Sequence, residues 1–255
     1  MKYSVCTDAL FPDTPVEDII PVLRDHGYDT IEFWTWWDKD LERIEHLCAE
    51  HQIQISTFCV DFRTNPGIPE DHDKYLEGLD ASIRAARRLN CRTLIAQAGW
   101  SAEGVPADVH DRALRTVLKD AVPTLEKNDI TLILEPLNIK VDHPGYHLST
   151  SEHAFSILDE VGSSHVKLLF DIYHQQITEG NILATIEKHL DQIGHFHIAA
   201  VPGRIEPYNG ELDYPYIIDQ ISRLGYNGCW GLEYMPKSDP WSTLDTVKKI
   251  FPGNE

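Results

Sequence analysis

The stretch TLILEPLN, residues 131–138, decides how the chain is read. Thr131 to Leu134 form a short apolar run of the kind that makes a strand buried on both faces. A carboxylate, Glu135, follows directly on Leu134 and is itself followed by a proline. Burying a charge without a partner is expensive. Glu135 therefore has to face something specific at the end of its strand.

Working outward, short apolar runs alternate with helical periodicity along the chain. The runs are YSVC (3–6), DTIEFW (29–34), QISTFCV (54–60), RTLIAQ (92–97), TLILE (131–135), VKLLFD (166–171), GHFHIA (194–199) and CWGLEY (229–234). Between them the spacing predicts helices near 15–26, 40–51, 71–89, 107–128, 151–161, 181–190, 214–224 and 241–250. Pro123 is expected to kink the fourth of these. Ser149, Thr150 and Ser151 offer capping hydroxyls for the fifth. Gly27, Gly162 and Gly225 each stand just past a helix, where a left-handed residue ends it. Eight strand–helix units with no linker predict parallel strands and right-handed crossovers. In 255 residues they fit one (β/α)8 TIM-barrel domain spanning 1–255 better than an open sheet. No GxGxxG or GxxxxGK[ST] follows any strand, which weakens nucleotide-binding alternatives.

Glu135 then acquires company. The sixth run ends in Asp171, the seventh carries His197 and the eighth carries Glu233, at separations of 36, 26 and 36 residues. In a barrel these strands are neighbours, and their ends converge at the C-terminal mouth where barrel enzymes keep their chemistry. Three carboxylates and an imidazole do not sit together charged and unpaired. One divalent cation answers this, and the oxygen-rich set points to Mn2+ or Mg2+, with Co2+ as a further candidate. The competing reading pairs each acid with a nearby Lys or Arg. His195 and His197 share one side of the strand, so spacing leaves the choice of ligand between them open.

Composition narrows the class of partner. The formal net charge of −19 repels a phosphate backbone and sets the expectation of no nucleic-acid partner. The longest apolar runs fall short of a bilayer span, so no membrane association is expected. The opening MKYSVCTDALFPD meets Asp8 too early for a signal peptide. Five cysteines are scattered singly with no CxxC pair, which reads as reduced thiols in a cytoplasmic protein. A small-molecule substrate is expected, and a homo-oligomer is left open.

The motifs ILEPLN, HPGYHLST, LLFDIYHQQITEG, IGHFHIAAVPGRIEPYNGELDYPYI and LGYNGCWGLEYMP resemble those of the hydroxypyruvate isomerase family. That family belongs to the xylose-isomerase-like barrels, with ketose epimerases of the D-tagatose 3-epimerase type nearby. The resemblance is dense over about 130–236 and diffuse before it. It implies a metal held by Glu135, Asp171, His197 and Glu233, with Glu135 and Glu233 also acting as the acid/base pair. The Asp-x-x-His pattern of the family is met by Asp171 and His174. Its Arg-x-Glu-Pro-x-x-Gly-Glu pattern is met by Arg204, Glu206, Pro207, Gly210 and Glu211. Ile205 stands where these isomerases usually carry His, and His197 where some carry Gln.

Such a site suits proton abstraction beside a carbonyl. Arg204, a fork-shaped permanent cation, is the candidate for holding a substrate carboxylate; a salt bridge to Glu206 is the alternative. His174 is a candidate donor to a substrate oxygen. Trp34, Trp36 and Trp37 follow the second strand, and Trp100 follows the fourth. Trp34, Trp36, Trp37 and Trp100 are expected to wall the pocket, with loop packing or an oligomer contact as the alternative. Glu32 is read mainly as structural. The expected reaction is interconversion of hydroxypyruvate and tartronate semialdehyde. A ketose 3-epimerase is the alternative, followed by a non-catalytic sugar- or acid-binding protein.

Overall fold

In the computed structural model, which describes residues 1–251, eight parallel strands close into a barrel in sequence order. They are β1 (Lys2–Cys6), β2 (Thr30–Phe33), β3 (Gln54–Cys59), β4 (Thr93–Gln97), β5 (Thr131–Glu135), β6 (Val166–Asp171), β7 (Ile193–Ile198) and β8 (Cys229–Leu232). The helices are α1 (Thr7–Leu10), α2 (Val16–Leu23), α3 (Leu41–His51), α4 (His72–Arg88), α5 (Ala107–Asn128), α6 (Ser151–Val161), α7 (Ile172–Thr178), α8 (Ile182–His189), α9 (Tyr214–Arg223) and α10 (Pro240–Ile250). The expected eight-unit barrel is thus the observed one. Two short helices were not anticipated, α1 and α7; each starts at the residue after its strand. Helix α5 runs on through Pro123 as a single element.

The helices start where the sequence offers caps. Asp40, Thr150, Asp213 and Asp239 accept the amides of Arg43, His153, Tyr216 and Ser242 at 3.1, 3.3, 3.2 and 2.8 Å. Each side-chain oxygen satisfies an amide that has no partner within the first helical turn. Apolar helix faces pack on the outside of the barrel. On α4 the buried apolar residues are Tyr75, Leu79, Ile83, Ala85 and Ala86, with Leu76 partly buried against the core.

The barrel interior is built in levels. Cys59, Ile95, Ile133 and Leu169 form an apolar plug, with Trp34 packed against it. Fully burying one such Leu or Ile is worth about 1.5–3 kcal/mol. Polar side chains share the interior with this plug: Glu32, His195 and His197 are all buried. Among the described residues no helix is long and apolar enough to cross a membrane.

Candidate active site

The register of the strands brings the four expected residues together. Asp171 pairs with His197 across β6 and β7, and Gln97 pairs with Glu135 across β4 and β5. Strand β8 ends at Leu232, two residues before the end of the expected run, which leaves Glu233 just past the strand. The Glu233 amide still donates to Ile198 O at 3.3 Å, which holds its side chain over the same mouth. One donor atom from each of Glu135, Asp171, His197 and Glu233 lies within 4.8 Å of all the others, and all four residues are buried.

Asp171 has two tasks. Its Oδ1 caps α7 by accepting the His174 amide at 3.2 Å, while Oδ2 lies 4.0 Å from Arg204 and 3.5 Å from His174 Nε2. Helix α7 therefore fixes the carboxylate that faces the site. Glu233 is held on both oxygens: Trp34 Nε1 donates to Oε1 at 2.6 Å, and Arg204 Nη2 donates to Oε2. Trp34 is itself placed by Asp8, whose Oδ2 accepts the Trp34 and Thr35 amides at 2.8 and 3.3 Å. Glu135 approaches His197 Nδ1 at 3.7 Å.

Arg204 reaches this point from a tightly pinned loop. Its φ is +52°, a left-handed conformation that a non-glycine residue adopts at a cost. Backbone bonds Arg204 N to Ala200 O (2.9 Å) and Met235 N to Arg204 O (2.7 Å) hold it there. Gly210 closes the loop. A Cβ at that position would stand 2.7 Å from Val201 O and 2.8 Å from the Ala200 Cβ. Glu206 does not pair with Arg204; its Oε1 accepts the Lys237 amide at 2.8 Å. Glu211 is exposed, and its amide donates to Val201 O at 2.8 Å.

The charges divide unequally. Burial would raise the Glu233 carboxyl, but Arg204, His197 and the Trp34 hydrogen bond outweigh it and hold the group well below the usual range. Asp171 is pushed up to about 7 by burial, with Arg204 only partly opposing. The guanidinium contacts Glu233 and stands off from Asp171, which explains the opposite directions. Burial disfavours charge on His197, but Glu233 and Glu32 reverse this and raise it well above an ordinary histidine. His174 is held well below the ordinary value, by burial and then by Arg204.

The donor set fits a divalent cation on the structure's own terms. His197 Nδ1 is buried with no aligned hydrogen-bond partner, although Glu233 Oε2 is only 3.2 Å away. The atom lies between Glu233 Oε2 and Glu135 Oε1, at 3.2 and 3.7 Å. Three carboxylates and one imidazole form the oxygen-rich set that hard or borderline cations take. Nδ1 of His197 is the atom turned to this set, whereas His195 Nε2 hydrogen-bonds Glu32 at 3.0 Å.

A cavity of about 240 Å³ opens above the four residues, lined by Trp34, Phe62, Gln97, Trp100, Arg204 and the two glutamates, among others. Trp34 and Trp100 stand where the sequence put them, although Trp100 is 46% exposed and forms the rim. Trp36 turns away, its Nε1 donating to Ser82 on α4 at 3.1 Å, and Trp37 packs edge-on against Phe62. His174 is fully buried beside Asp171 and is not among the residues lining the cavity. Its Nδ1 accepts from the Asn138 amide (3.3 Å), so Nε2 carries the proton. Gln97, Phe62 and His143 line the cavity as well and had no assigned role. His143 lies within HPGYHLST, the motif whose end already marked this loop.

Residues 20–248 match the xylose isomerase-like TIM barrel family. The hydroxypyruvate isomerase of Escherichia coli K12 is 34% identical over 224 residues, covering 83% of this chain and 84% of its own. A putative hydroxypyruvate isomerase of Drosophila melanogaster is 35% identical and covers 98% of both chains. A 2-oxo-tetronate isomerase of Pectobacterium atrosepticum is 25% identical over 94% of this chain and 97% of its own. Among solved structures, a Brucella melitensis protein named as a family 2 AP endonuclease superposes with a TM-score of 0.92 at 27% identity, covering 98% and 99% of the two chains. An L-ribulose 3-epimerase has the same fold at a TM-score of 0.83 and 19% identity, covering 98% and 93%. The chain belongs to the xylose isomerase-like TIM barrel family and is an enzyme of isomerase or epimerase type.

Proposed function

We propose that the enzyme interconverts hydroxypyruvate and tartronate semialdehyde, or a close hydroxy-oxo acid, by proton transfer between neighbouring carbons. Arg204 carries this reading. Its guanidinium lines the same cavity as Glu135 and Glu233. A substrate carboxylate needs a cation there, whereas a neutral ketose does not. The names of the curated relatives point to the same class of small oxo acids.

Glu135, Asp171, His197 and Glu233 would hold the divalent cation. When bound, it supplies Lewis-acid stabilisation of negative charge on a substrate carbonyl oxygen. One glutamate removes a proton from C3 of hydroxypyruvate, and the electrons of that bond pass toward the C2 carbonyl as an enediolate. The opposite glutamate delivers a proton to C2. The hydroxyl proton leaves the C3 oxygen as one arrives on the C2 oxygen, so atoms and charge balance. Trp34 and Arg204 keep the Glu233 carboxyl in one orientation throughout, and the aromatic walls limit water.

The net charge of −19 opposes the phosphate backbone that an endonuclease meets. The discriminating experiment offers the purified enzyme, with Mn2+ or Mg2+, hydroxypyruvate and a panel of free ketoses. Turnover of the acid alone is expected. Efficient 3-epimerisation of ketoses without acid turnover assigns a ketose epimerase instead, and no turnover of either assigns a binding protein.

A further inference from the structure

Beneath the four site residues lies a carboxylate that the proposed reaction does not use. Glu32, on β2, is 1% exposed in the barrel interior. No Lys or Arg pairs with it among the ion pairs of the described residues. A buried carboxylate without a cation is destabilising unless hydrogen bonds and imidazoles compensate it. Four side chains converge on it. Ser4 Oγ donates to Oε2, Ser56 Oγ shares its one proton between that oxygen and Ile31 O, each at 3.1 Å, and His195 Nε2 meets Oε2 at 3.0 Å. His197 Nε2 lies 3.0 Å from the other oxygen, Oε1. The contact is close but not aligned as a hydrogen bond, and both atoms are buried with no other hydrogen-bond partner, so each has only the other to meet.

The space for this cluster is built into β8. A Cβ at Gly231 would stand 2.5 Å from Glu32 Oε1, 2.5 Å from His197 Cδ2 and 2.9 Å from His195 Nε2. Only a residue without a side chain lets the carboxylate and both rings meet there.

We infer that Glu32 is a positioning residue for the metal centre: it holds His197 as the Nε2–H tautomer, which leaves the Nδ1 lone pair free to ligate. An imidazole with a carboxylate on one nitrogen offers its other nitrogen to a cation with a fixed ring plane and raised basicity. His195, which meets the same carboxylate, steadies the acceptor from the side. The inference rests on the metal-centre reading, and the test separates the two.

The test measures Mn2+ binding to the metal-stripped protein by calorimetry, and the 14N coupling of the bound Mn2+ by pulsed electron paramagnetic resonance. Wild type is expected to bind Mn2+ and to show a 14N coupling that His197→Ala removes. Glu32→Gln should weaken Mn2+ about 10–100-fold, the usual effect of losing such a partner, and diminish the 14N signal while the carboxylates still hold the ion. Ser56→Ala, a milder change that loosens the carboxylate, should shift both readings in the same direction by less. A folded Glu32→Gln protein with wild-type affinity and an unchanged 14N coupling overturns the inference. If that variant does not fold, wild-type readings from Ser56→Ala overturn it. A wild-type protein that binds no Mn2+ overturns the metal-centre reading, and the inference with it.

Discussion

Trp34 Nε1 donates to Glu233 Oε1 at 2.6 Å, joining the loop after the second strand to the end of the eighth. The other oxygen of Glu233 takes Arg204. The carboxylate is thus set by one neutral and one charged donor, and the neutral one can be removed without emptying the wall of the cavity. Trp34→Phe keeps an aromatic ring and loses the N–H. A hydrogen bond to a charged group is worth about 1.5–3 kcal/mol, so kcat should fall by roughly one to two orders of magnitude. KM should change little, because the bond orients the acid/base group and not the substrate. Steady-state kinetics with hydroxypyruvate would measure both, and an unchanged kcat would remove Trp34 from the catalytic arrangement.

Glu135→Gln and Glu233→Gln preserve volume and remove the proposed acid/base groups. Each should lower turnover by about 10²–10⁴-fold, the usual range for a general acid–base group, with the melting temperature retained. Metal content has to be determined on each variant, because an amide is also the weaker ligand. Near-normal turnover at full metal content in either variant would show that its role is misassigned.

Much of this was legible in the sequence. Alternation between strand and helix periods gave the barrel. Residues 135, 171, 197 and 233 stood out because each is polar at the end of an apolar run. Other features depend on three-dimensional register. Spacing alone could not choose between His195 and His197, which share a side of one strand; the family resemblance named His197, and its Nδ1 faces the carboxylates. Glu32 read as mainly structural because nothing in TIEF shows which side chains a barrel-facing acid would meet until the strands close around it. Helix α7 was missed because IYHQQIT carries no long apolar stripe. Its signal was the cap, Asp171 three residues before His174.

In the proposed function Arg204 is the residue that separates acids from neutral sugars. Arg204→Lys keeps the charge and loses the planar fork, so KM for hydroxypyruvate should rise, and Arg204→Ala should raise it further. Both variants also release Glu233 Oε2, so a fall in kcat is expected alongside. An equal KM for the acid in wild type and Arg204→Ala would exclude a carboxylate contact at this residue.

Acid should destabilise the fold through two stacked histidines outside the four-residue cluster. His110 is buried and stacks on His147 with ring centroids 4.4 Å apart. Burial lowers both below the ordinary histidine value, and His110 lowers His147 further. The folded state therefore binds fewer protons than the unfolded chain, whose histidines titrate near about 6.5. Stability is complete above that pH and is lost progressively as pH falls below it toward the depressed folded values. Melting curves at pH 8 and pH 5.5 should show a smaller acid-induced drop in His110→Gln than in wild type. An identical drop in the two proteins would remove His110 from the acid response.

The most direct test follows the carbon atoms. Hydroxypyruvate labelled with 13C at C3 is incubated with enzyme and Mg2+ in deuterated water and observed by NMR. The label should move into an aldehyde or its hydrate, with deuterium appearing at C2, as proton transfer between neighbouring carbons requires. Hydroxypyruvate that stays unchanged, while a ketose in the same buffer inverts at C3 and gains deuterium there, would contradict the assignment.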